Sequence, residues 1–394
     1  MKNKINFYDG FIQDDVIWFS SLNHNALMTL DIKSGKIDAV GRFPGCENYQ
    51  KNLHIRVIEE KRCLYFVPRN GNFVHVFNLE NMTFEENIPL PYSDDTCIAN
   101  AVMDKLGRIW IIPAYIRDGI VVLDTNRKCA EKSGISEPLQ ISSNAFVGPN
   151  CVCYNSGIIS ICIFKSNVVF YIDTIEYEMS AEKIDEEYKP YSFISDNGIT
   201  YIFSNYPDNR IIFWNKNDKT YIDISDKLDP NNEMYLYWNY IRKDNKFMCI
   251  PCDRDDLLVT DMLEKKEKHI PINEFVKKNS SNPMYSFYKE YKGCFYLFPS
   301  GADGLLIIDG NEWSIRTLDY VINDELQRQI QAECKDNFKN EMLSGIVSEN
   351  VEYDETLGDF LDFVTQNSTN QDAGEKTDYG NKIYKNVKKY FSKN

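Results

Sequence analysis

Five cationic side chains recur at one kind of place along this 394-residue chain. Arg69, Arg117, Lys165, Arg210 and Arg254 each sit in a short polar segment between two apolar runs: PRNGN, PAYIRDG, FKSN, SNYPDNR and PCDRDD. A guanidinium is a planar donor fork that matches carboxylate and phosphate oxygens. Gathered on one rim, the five would accept a phosphorylated or acidic small molecule, or an acidic peptide. The competing reading pairs them with their neighbours Asp118, Asp208, Asp253 and Asp255 as loop salt bridges. His24, in SSLNHN, is the one histidine of four placed in such a segment; His54, His75 and His269 fall in or near apolar runs. Cys249 and Cys252 form Cys-x-x-Cys, and Cys151 and Cys153 form Cys-x-Cys. A structural zinc site needs four ligands at suitable spacing, and these pairs lie too far apart along the chain to suggest one. No phosphate-binding glycine loop, dinucleotide turn, HExxH or GxSxG is present, so the sequence implies no metal and no cofactor.

The segments that carry these residues repeat. A strand-like run, a polar loop, a second apolar run and then an Asp or Asn return at Asp31, Asn78, Asp124, Asp173, Asn215, Asp261 and Asp309, about every 46 residues. Several strands per repeat at this period describe an all-β, seven-bladed β-propeller of four-stranded antiparallel blades. Calling the strands a to d in order, the motif covers b and c. The blades fall at about 6–43, 52–90, 97–140, 144–184, 190–225, 235–272 and 283–319, with strand d weakest in the third and fourth. Proline ends strand b at Pro68, Pro113, Pro251 and Pro299, where its missing N–H is tolerated. The seven Asp/Asn residues read as turn caps whose side chains bond backbone groups two residues on. Aromatics at the start of strand a (Tyr191, Phe193, Tyr235, Tyr237, Trp238, Tyr285 and Phe287) suit either packing between blades or stacking on a ligand at the channel mouth. The ring closes by blade packing, or by exchange of a terminal strand.

Residues 1–320 therefore form the propeller and 321–394 a helical, partly flexible tail, opening with a polar amphipathic helix that Asn323 would cap. The tail ends in a basic stretch in which Lys382, Lys385, Lys388, Lys389, Tyr390 and Phe391 are candidates for docking a partner. The chain carries a net charge of −15. That balance opposes non-specific nucleic-acid binding. No secretory leader is expected from the N-terminal residues, and no apolar run reaches membrane-spanning length. Together with eleven cysteines scattered through strand-like runs, this points to a reduced, cytoplasmic protein.

The first repeat, VIWFSSLNHNALMTLDIKSGKIDAVGRFP, and the third, DKLGRIWIIP…GIVVLD, resemble the repeats of NHL-type, streptogramin-lyase-like and two-component-regulator propellers. The resemblance implies the fold across about residues 6–319. Lyases of that group use a histidine and acids near a divalent metal, and that constellation has no counterpart here. The expected function is a non-catalytic binding or scaffold propeller. Its loop-lined rim, with Arg69, Arg117, Lys165, Arg210, Arg254 and His24, would meet a protein or small anionic ligand. The alternative is a lyase or hydrolase acting on a glycan or cyclic substrate, with Asp118 or Asp253 as base.

Overall fold

The computed structural model describes residues 5–328, apart from 23, 46–52, 136–144, 165, 185–189, 197–198, 205–211, 216–219, 224–236, 253, 262–265 and 279–282. The chain divides into two units, Met1–Asn323 and Asp324–Asn394. In the second, a helix is described over 324–328; the basic residues Lys382 to Phe391 lie outside the described residues. Among the described residues no helix is long and apolar enough to cross a membrane.

Among the described residues the first unit is built of seven small sheets, each an antiparallel a–b–c–d meander of one continuous stretch: 10–41, 54–89, 98–132, 152–183, 190–223, 237–271 and 285–318. Strand a of each sheet lies against strand a of the sheets on either side, so seven inner strands enclose a channel. This is a β-propeller. Five sheets have four strands and two have five. In blade 2 the extra strand arises because strand d breaks into Thr83–Phe84 and Ile88–Pro89. Strand d is continuous in blades 3 and 4, at Cys129–Lys132 and Glu178–Lys183, contrary to the sequence expectation. At the break, Asn78 and Lys128 of the next blade both reach the Glu85 carboxylate.

Local chemistry explains the repeat. Oδ1 of Asp31, Asn78, Asp124, Asp173 and Asp309 each accepts two backbone N–H groups, from the second and third residues onward. They are turn caps, which is why this position recurs. The prolines end strand b as expected, and the next carbonyl is used between blades. Arg69 O, Ala114 O and Cys252 O accept Ile98 N, Val147 N and Met284 N of the following blade. Apolar side chains fill the wedges, with Trp110, Tyr237 and Tyr285 fully buried. Each such ring contributes about 1.5–3 kcal/mol by leaving water. Packing therefore accounts for Tyr237 and Tyr285, whereas Phe193 and Phe287 reach the channel.

The four antiparallel strands of each blade come from one stretch of chain, and the ring closes by contacts between blades 7 and 1. Phe7 N donates to Pro299 O, and Asn6 Nδ2 donates to Ala302 O. Asp15 of blade 1 is held between Lys33 and Lys292 of blade 7; hydrogen bonds from Lys292, then Lys33, keep its carboxyl well below the usual range. After blade 7 the chain returns as Val321–Ile322, which pairs in parallel with Lys36–Ile37 and gives blade 1 its fifth strand. Gly35 permits that return. Its φ is +72°, and a Cβ there would lie 2.0 Å from Asp319 O. Gly35→Ala is expected to cost about 2 kcal/mol or more in urea unfolding. Gly293→Ala, at a similar φ of +75° but with open space around it, is expected to cost less. Equal costs would show that the returning strand contributes nothing.

Candidate functional site

The inner strands of all seven blades line a cavity of about 590 Å³ in the channel. That size suits a small molecule, for which sites of roughly 300–1,000 Å³ are usual. Its chemistry follows from strand register. In blades 2, 3, 5 and 6 a β-bulge interrupts strand a opposite the end of strand b. Such a bulge re-aims the side chains that follow it. The next paired residues are Arg56, Asn100, Ser192 and Asn239, opposite Val67, Ile112, Phe203 and Ile250, and all four line the cavity. Strand a of blades 1 and 4 is only four residues long. There, Asp9 precedes the strand and Asn150 sits in a single 3-10 turn before it. These residues form one polar layer around the channel.

Most of this layer ties blades together. Asn100 Nδ2 donates to Pro149 O, and Asn239 Nδ2 donates to Ser286 O at 3.0 Å, each in the next blade. Asn150 Nδ2 donates to Trp238 O. Arg56 is different. Its Nε lies 3.4 Å from Asp9 Oδ2, and its guanidinium carbon stands 4.2 Å from the centre of the Phe287 ring. Among the described residues neither Nη has a hydrogen-bond partner, so the two clamps fix the fork and leave its outer edge for a ligand. Asp9 is almost fully buried; Oδ2 also accepts Val57 N, while Oδ1 has no partner among the described residues. The buried Ser192 Oγ is likewise without one.

Lys289 stands two residues beyond Phe287 on the same strand and lines the same cavity. It is half-buried, enclosed by protein but facing the open space. The Asp9 carboxylate, the largest single influence, favours the charged amine; burial and the Arg56 guanidinium together outweigh it, and the pKa is lowered. Two cations thus share a cavity with one buried carboxylate behind them. Glu59 also lines the wall, and its Oε1 accepts Arg62 N.

The residues expected on the rim do not converge here. Arg69 donates to Ile98 O across the seam to blade 3. Arg117 is mostly exposed on a short 3-10 turn, 3.9 Å from Asp118. Arg254 donates to Asp256 Oδ1 and stacks over Tyr237. Lys165 and Arg210 lie outside the described residues. His24 is 2% exposed, with its side chain buried in the loop. None of the described members lines the cavity. Arg56 and Lys289 escaped the sequence reading because each sits inside a strand and not in a loop, and the bulge before Arg56 shifts the alternation that would mark its face. A signal did exist: hairpins counted back from the strand-b prolines bring Arg56, Asn100 and Asn239 to one level.

Two of the histidines form a buried chain at the seam of blades 1 and 2. Ser20 Oγ lies 2.7 Å from His54 Nδ1, His54 Nε2 lies 2.8 Å from His75 Nδ1, and His75 Nε2 lies 3.1 Å from Pro44 O. One proton assignment satisfies every contact: Ser20 donates to His54, His54 donates to His75, and His75 donates to the carbonyl. Both rings are then neutral. Burial pushes His75 down to about 4; burial, then the neighbouring His75, holds His54 well below the usual imidazole value.

No protein-family profile matches the sequence, and no curated protein matches it. Solved structures do resemble the fold. A catalytically inactive virginiamycin B lyase from Staphylococcus aureus, with quinupristin, aligns at a TM-score of 0.56 and 9% identity, over 76% of this chain and 94% of that one. The extracellular domain of a putative hybrid two-component system from B. thetaiotaomicron aligns at 0.55 and 16% identity, over 78% and 41%. A puromycin-hydrolyzing peptidase from Mycobacterium tuberculosis aligns at 0.54 and 10% identity, over 82% and 54%. The chain thus spans about half or less of the last two. At these identities the likeness shows the β-propeller fold and nothing about activity.

Proposed function

We propose that this propeller is a binding module that takes a small anionic ligand into its central cavity. The observation that carries the reading is Arg56: a guanidinium clamped by Asp9 and Phe287, with its outer edge turned to a cavity it shares with Lys289. Building such a fork inside a protein of net charge −15 makes sense where an anion completes it. The anion sits in the channel, not on the outer loops. Phe11, Phe193, Tyr240 and Phe287 supply apolar wall for the rest of the molecule, and Ser192 and Asn150 stand at its edge.

Thermal shift with a panel of organic carboxylates and phosphates tests this. At least one anion is expected to stabilise the wild type, and Arg56→Gln is expected to weaken its binding about 10–100-fold, the worth of one charge-assisted hydrogen bond or more. Arg117→Gln, on the outer loops, is expected to change nothing. Binding that survives Arg56→Gln and is lost with Arg117→Gln would return the site to the loops.

A further inference from the structure

Lys289 has a chemistry that anion binding does not use. Its side chain lines the same cavity as Phe287, on which Arg56 is stacked. No described residue makes a hydrogen bond or ion pair to its amine. The neighbouring charges are Asp9, which is committed to Arg56 and Val57 N, and Arg56 itself. The Asp9 carboxylate favours the charged amine, but enclosure and the adjacent guanidinium together outweigh it and shift the balance towards the neutral amine, the form that attacks carbonyl carbon. Lys292, three residues on, shows the opposite environment. It is exposed and bonded to Asp15, and that bond, then one to Tyr291, raises its pKa.

We propose that Lys289 is a carbonyl-reactive amine that forms a reversible imine with a small oxo acid whose carboxylate rests on Arg56. This builds on the anion-binding reading of Arg56 and adds covalent chemistry at its neighbour. The neutral Nζ attacks the carbonyl carbon and a C–N bond forms. The amine proton passes to the carbonyl oxygen, giving a carbinolamine, and loss of one water leaves the imine. No oxidant or reductant takes part. Arg56 holds the carboxylate and sets which carbonyl compounds reach the lysine.

The test uses the full chain, pyruvate as probe and cyanoborohydride to reduce any imine to a stable amine, followed by peptide mapping. At pH 7, Lys289 is expected to be labelled about tenfold more than Lys292, because the carboxylate held on Arg56 keeps the carbonyl beside the Lys289 amine. Arg56→Gln is expected to cut that labelling about tenfold at sub-saturating pyruvate, and Lys289→Met to abolish it. Labelling of Lys289 no greater than of Lys292 overturns the proposal, as does labelling indifferent to Arg56→Gln. Lactate separates the two readings, because it has the carboxylate without the carbonyl. If lactate stabilises the wild type but not Arg56→Gln while pyruvate leaves no adduct, the anion site stands and the imine falls.

Discussion

Asp9→Ala is expected to lower the free energy of unfolding by about 3–5 kcal/mol, the range seen when one partner of a buried ion pair is removed. The Asp9 side chain is only 1% exposed, and its Oδ2 serves both the Arg56 guanidinium and the Val57 N–H. Without it, the Arg56 guanidinium loses its carboxylate, and a backbone donor in strand a of blade 2 loses its acceptor. Asp9→Asn separates these effects: the amide oxygen still accepts from Val57, and only the charge is lost. Urea unfolding should therefore rank wild type above Asn above Ala. Added anion should restore part of the loss in both variants, because it supplies the missing negative charge. A wild-type-like Asp9→Ala would mean that Arg56 is not held as described, and the proposed ligand site would fail with it.

The second large effect is acid destabilisation. His54 and His75 are both neutral and buried in the folded protein, ringed by Phe43, Phe66 and Phe73. In the unfolded chain each titrates near 6.5, whereas folding holds His75 down at about 4 and His54 well below the usual value. The depressed pKa fixes the sign. Above about pH 6.5 neither state binds these protons, and the stability is complete. As pH falls from about 6.5 towards 4, the unfolded chain takes them up and the folded one does not, so stability falls with pH. The loss is about 2 kcal/mol per histidine between pH 7 and pH 5, or about 4 for the pair. Carboxylates titrate mostly below this window. Urea unfolding at the two pH values should show the drop in wild type, and the double variant His54→Gln, His75→Gln should lose most of that slope. Equal stability of the wild type at both pH values would refute the neutral, buried assignment.

Both effects arise at positions that carried no functional signal in the sequence, whereas the frame around them did. The spacing of the Asp/Asn caps, the strand-ending prolines and the hairpin turn at Asp104–Gly107 are interactions between residues a few positions apart. A sequence displays such features directly, since each turn's chemistry is decided by its own residues. They located the blades and, through them, the loops on which a site was expected. On those loops Arg69 donates across the seam to blade 3, Arg254 donates to Asp256 in its own blade, and the His24 side chain is buried.

The cavity chemistry was decided elsewhere. Arg56 acquires its role from Asp9 at the edge of blade 1 and Phe287 in blade 7, and His54 from Ser20 and His75. These partners meet only because the ring closes and because the bulges turn one residue per strand into the channel. Along the sequence Arg56 is a charge inside a strand, with nothing nearby to pair or stack with it. The sequence by itself therefore determined the repeat, the turns and the propeller, which depend on local geometry. Tertiary structure alone decided which polar side chains share the channel, because burial and charge pairing depend on distances that exist only once distant blades pack together.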